Sequence, residues 1–137
     1  MPSSQEHQAK YKLNRNFLDA NAGLAANEPC WAAVVAFYAA LHLIERLAAR
    51  QNRHHDIHGQ RARFIGSHPQ HYVILYDYEL LFAASLVARY GTINQFQRQW
   101  PADTVQTVLI DIHLVAIENY VDSVFNPPSP APPSAGT

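Results

Sequence analysis

The placement of glycine and proline constrains this sequence more than any other feature. Five of the nine prolines crowd into residues 126–137, NPPSPAPPSAGT. Pro29, Pro69 and Pro101 each stand just before a long apolar-periodic stretch, at the first-turn position where a missing N–H costs nothing. Gly23, Gly59, Gly66 and Gly91 fall between such stretches, and no long stretch is interrupted by either residue type. A chain punctuated this way is a chain of long helices.

The periodicity predicts four of them, over residues 4–24, 28–52, 69–90 and 103–125, with a short helix over 59–65 and Asn27 as N-cap of the second. Leu13, Phe17, Ala20 and Leu24 form an apolar stripe on the first. Val73, Tyr76, Leu80, Ala84 and Val87 share a face of the third. Val105, Val108, Leu109, Ile112, Val115 and Ala116 are the expected core positions of the fourth, with Thr104, Thr107, Asp111, Glu118 and Asp122 as its solvated stripe. No segment alternates as a strand does. The expectation is an all-α, up-and-down four-helix bundle occupying residues 1–126 as one domain, followed by a disordered Pro-rich tail over 127–137.

Composition narrows the function classes. A chain of 137 residues with 48% hydrophobic content can bury one core. Ten Lys/Arg against eleven Asp/Glu give a net charge of −1, which argues against a duplex-DNA binder. Eight histidines would carry that charge to about +7 if all were protonated. Cys30 is the only cysteine, so no intramolecular disulfide forms and a reducing, cytoplasmic setting is expected. The longest apolar run, residues 30–41, falls short of the roughly 20 residues needed to span a bilayer, so no membrane association is expected.

Candidate chemistry gathers in two places. The second helix is apolar almost all round, so its polar exceptions are informative: Trp31, Tyr38, His42 and Glu45 fall within a narrow arc with Arg46 and Arg50 at its edge. Such a seam between helices suits a ligand pocket, and equally suits a hydrogen-bonded core histidine with packing aromatics. The second place is RQNRHHDIHGQR, residues 50–61. His54, His55, Asp56 and His58 offer metal donors, but adjacent histidines in a loop rarely share one ion, and no metal or other cofactor is expected. Arg53 and His58 fit an Arg, four residues, His spacing in which the arginine holds a phosphate and the histidine moves a proton, as a metal-independent ribonuclease needs. The same residues also suit a solvated loop between helices.

In Trp31-Ala-Ala-Val-Val-Ala-Phe-Tyr38-Ala-Ala-Leu-His42, in His58-Gly-Gln-Arg61 and in Ala88-Arg89-Tyr90-Gly91 the chain resembles bacterial HEPN-type (higher eukaryote and prokaryote nucleotide-binding) proteins over about residues 29–91. Gly91 stands where that branch carries proline, and the Arg/His spacing comes earlier than in its toxin members. The resemblance implies a four- or five-helix bundle, often a homodimer, that holds a nucleotide, RNA or other phosphorylated ligand, in some cases for a partner nucleotidyltransferase; other members are endoribonuclease toxins. By position it implies that Tyr38, His42, His58, Arg61, Arg89 and Tyr90 line the ligand seam, to which Arg46 is added for its place beside His42. A dimeric interaction protein without a ligand is the alternative from a different class.

Overall fold

The computed structural model describes residues 2–129, and every regular element among them is helical. Helix α1 is Ser4–Ala20, begun by Ser3, whose hydroxyl accepts the Glu6 N–H at 3.1 Å. A short α2, Leu24–Asn27, leads to α3, Pro29–Arg50, with Pro29 in its first turn and Glu28 rather than Asn27 at the cap. Helix α4 is His58–Ser67. A 3₁₀ turn, His71–Ile74, leads into α5, Leu75–Tyr90. Helix α6 is Ile93–Gln99, and a π-helical stretch, Val105–Leu114, runs on into α7, Val115–Phe125. The expected disordered tail lies mostly outside the described residues; 126–129 form no helix.

Helix α3 is the centre of the fold. It packs on α1, α2, α4, α5, the π-helical stretch and α7, and the buried apolar residues form a single cluster around it. It is long and apolar enough to cross a membrane by length and composition, yet 67% of its most apolar window is buried inside the protein, as befits a core helix.

The end of α3 sets up the site. Asn52 takes a left-handed conformation at φ 58°; its N–H bonds the Ala49 carbonyl and the Arg53 N–H bonds that of Ala48. These are the paired bonds of a Schellman stop, with asparagine in the position usually taken by glycine. The chain therefore turns sharply and lays residues 53–55 against the last turns of the helix it has just left.

Three expected core faces differ from the observed ones. On α1, Leu13 is 72% exposed and Phe17 and Ala20 are exposed too; the inward face is His7, Tyr11, Asn14 and Leu18. That face is polar because its groups have partners across the interface: Tyr11 donates to Glu118, and Arg15 lies 3.2 Å from the same carboxylate. Over the 3₁₀ turn and α5, Val73 and Tyr76 point to solvent, while Ile74, Tyr78, Leu81, Ala84 and Ser85 are buried. The chain is not yet α-helical at residues 71–74, which rotates the register. In the last helix the i→i+5 bonds widen the turn, so the core recurs at Val105, Leu109, Ile110 and Leu114 and leaves Ile112 exposed. Helix α6 was not expected; it is held by a capping box between Thr92 and Gln95.

Gly91 has a reason to differ from proline. Its N–H bonds the Val87 carbonyl at 2.9 Å, and a Cβ there would sit 2.9 Å from that carbonyl oxygen. Proline would remove the bond and bring the clash.

Candidate functional site

The site is built around a buried carboxylate. Glu45, near the end of α3, is 1% exposed. Its Oε1 accepts from Arg61 Nε at 3.1 Å and lies 3.1 Å from His55 Nδ1. Its Oε2 accepts the His55 N–H at 3.1 Å and lies 3.5 Å from His54 Nδ1. Arg61, on α4, is itself 7% exposed and donates from Nη2 to the His55 carbonyl at 3.1 Å. The Schellman turn and the first turn of α4 thus clamp one carboxylate from two sides, the compensation a buried charge requires.

A histidine pair adjoins it. His7, on α1, is 3% exposed, and its Nδ1 lies 3.2 Å from Nδ1 of His42 on α3, so one of the two rings donates to the other. Burial, reinforced by the positive charge of His7, Lys10 and Arg61, pushes His42 down to about 4. Burial lowers His7 as well, with Glu45 pulling the other way. His7 Nε2 is buried without a hydrogen-bond partner. One donor atom each from His7, Glu45 and His54 lie within 4.8 Å of one another, a geometry within reach of a metal ion.

A second arm leaves Arg61 toward α5. The guanidinium stands beside Tyr78, whose hydroxyl burial pushes up to about 12. That hydroxyl lies 3.2 Å from His58 Nδ1, while His58 Nε2 lies 3.2 Å from Glu79 Oε1 and the imidazole stacks flat on Phe82. His58 is held below its ordinary value by burial, against the pull of Glu79, and its ring is bonded on both sides.

Of the residues expected to line one seam, the structure brings His42, His58 and Arg61 into this network. The others stand elsewhere. Tyr38 is exposed and touches only the Phe37 ring among aromatic partners. Arg46 lies over the Phe125 ring at 3.7 Å, in a cleft whose walls include Tyr11, Glu118 and Asp122. Arg89 bonds back to Ser85 at the exposed end of α5, beside a Tyr90 that is 78% exposed. Eleven residues of helix separate Arg89 from Tyr78, about 16 Å along the axis.

Arg53 and His58 also part company. Arg53 lines a cleft of about 260 Å³ with His54, His55, Gln60, Arg63, Phe64 and Ser67; His58 is not on its walls. What sequence reasoning missed is His7. It lies far along the chain from the histidine-rich loop, and its signal was the spacing His7, Tyr11, Leu18, which marks the true inward stripe of α1. Compared with family models, with curated proteins and with solved structures, the chain matches none of them.

Proposed function

We propose that this chain is a HEPN-like helical module that binds a phosphorylated ligand, a nucleotide or an RNA end, in the cleft between the α3 stop and α4. One observation carries the reading: the walls of that cleft bear Arg53, Arg63, His54 and His55, with Gln60 and Ser67 as neutral donors, and no carboxylate. Both arginines are exposed, and neither makes an ion pair among the described residues. Two planar guanidinium forks free to bond phosphate oxygens suit such a ligand. The Arg46 cleft suits it less, because Glu118 and Asp122 share its walls.

Binding is favoured over catalysis by Arg53 and His58 because His58 is committed to Tyr78 and Glu79 and does not reach the cleft. Association as a homodimer would use the apolar groups left outside the core, of which Trp31, 56% exposed, is the largest on α3. Any partner nucleotidyltransferase would then receive the ligand from the open cleft.

Isothermal titration with ATP, inorganic polyphosphate and a short single-stranded RNA tests the proposal. Saturable binding that weakens at least about tenfold in Arg53→Ala/Arg63→Ala supports it, since losing two phosphate contacts costs at least about 1.4 kcal/mol. No binding of any of the three, or equal binding by the double variant, overturns it.

A further inference from the structure

We propose that His7, Glu45 and His54 form a binding site for a divalent transition-metal ion of the zinc class. The site shares His54 with a wall of the phosphate cleft, but its donors are set by His7 and Glu45, and the assignment does not rest on a ligand binding in that cleft. The donors come from α1, α3 and the loop after α3, and one atom from each already lies within 4.8 Å of the other two. A tetrahedral ion with bonds of about 2.0–2.1 Å sets its donors about 3.3 Å apart, so a closure of about 1.5 Å at most is needed. His54 stands on the exposed segment between α3 and α4 and is the group able to make it.

Two independent observations point to a ligand rather than to a satisfied core. The first is His7 Nε2, which is buried in a residue only 3% exposed and has no partner. A buried ring nitrogen left unbonded is costly unless something accepts its lone pair or its proton. In the tautomer in which His7 Nδ1–H donates to His42 Nδ1, the His7 Nε2 lone pair is available to a metal. A ligating histidine commonly fixes its tautomer through such a bond from its other nitrogen.

The second is the state of Glu45. Its Oε1 is occupied by Arg61 and His55, while Oε2 takes only one short hydrogen bond, from the His55 N–H. A carboxylate offers about four acceptor positions, so Oε2 keeps one, on the oxygen that lies nearest His54. Arg61 and His55 hold the carboxylate in place, as outer groups do around a metal. Two imidazoles and one carboxylate are a donor set used by open zinc and iron sites, with at least one position left for water or another ligand. The loop histidines 54, 55 and 58 do not make the site by themselves: His55 serves as an orienting group and His58 belongs to Glu79.

The test uses untagged full-length protein stripped with EDTA and titrated with cobalt(II), read by its visible ligand-field absorption, and with zinc(II), read by calorimetry. One ion per chain should bind, with tetrahedral or five-coordinate cobalt absorption. His54→Gln, at an exposed position that leaves the core intact, and His7→Gln should each weaken binding by about 100-fold, at or beyond the upper end of what losing an outer-shell partner costs. His113→Gln, which alters the separate His113–Asp77 pair, should leave binding unchanged. Absence of one-to-one binding overturns the assignment, as does affinity retained in His54→Gln or lost equally in His113→Gln.

Discussion

Arg61 and Glu45 meet through Nε and Oε1 at 3.1 Å, with both side chains almost wholly withdrawn from water. This pair ties α4 to the central helix and shapes the loop between them. Arg61→Ala would leave the Glu45 charge buried with His55 as its main remaining donor. Breaking a buried pair from one side costs about 3–5 kcal/mol. Urea denaturation should show a loss of that order; a change under about 1 kcal/mol would mean that the His55 contacts suffice.

The buried histidines give stability a pH dependence of defined sign. Burial holds His42, His58 and His71 below their ordinary 6.5, His42 at about 4. As pH falls, the unfolded chain takes up protons first, so their contribution is complete above about pH 6.5 and declines from there toward pH 4. In EDTA, the urea midpoint should drop steadily from pH 7 to pH 5, and His71→Gln should shallow the slope. A midpoint that stays level or rises over that interval contradicts the burial assigned to these rings.

The corner between α5 and α6 makes a separate prediction. The Thr92 hydroxyl accepts the Gln95 N–H, and the Gln95 side chain accepts the Thr92 N–H. Thr92→Ala should cost about 1 kcal/mol. Gly91→Ala should also destabilise, because the added Cβ meets the Val87 carbonyl at 2.9 Å. Thermal melts of the two variants check this; unchanged transition temperatures would show the corner to be slack.

The proposed homodimer is checked at Trp31, which is 56% exposed. Light scattering of the wild type should give twice the chain mass, and Trp31→Glu should give the monomer with unchanged helical circular dichroism. A monomeric wild type, or a dimer indifferent to Trp31→Glu, removes α3 from the interface.

Helix existence was legible in the sequence because Pro29, Gly23 and Gly91 mark real ends, whereas Gly59 and Gly66, expected between helices, lie inside α4. Helix faces were legible only where apolar periodicity decides burial. On α1 it does not: His7, Tyr11 and Arg15 face inward because each finds a partner on α3 or α7, information that no local pattern contains. The π-helical stretch misled the assignment of Ile112 because a period of 3.6 was assumed where the turns are wider. Helix α6 was written in Thr92 and Gln95 and was overlooked because it is short. At the site, His42, His58 and Arg61 were named from the sequence, and Glu45 was placed in the right arc. That Glu45 is the hub follows from the Asn52 turn, which folds His54 and His55 back onto it, and from His7, more than thirty residues upstream of them both.

The location of the phosphorylated ligand is tested most directly by a two-dimensional ¹H–¹⁵N spectrum of the labelled protein titrated with ATP. The predicted result is progressive shifts of the Arg53, His54, His55, Gln60, Arg63 and Ser67 amides, with Arg46, Arg89 and Tyr90 unmoved. Shifts centred on Arg46 or on Arg89 and Tyr90, or no shifts at saturating ATP, would contradict it.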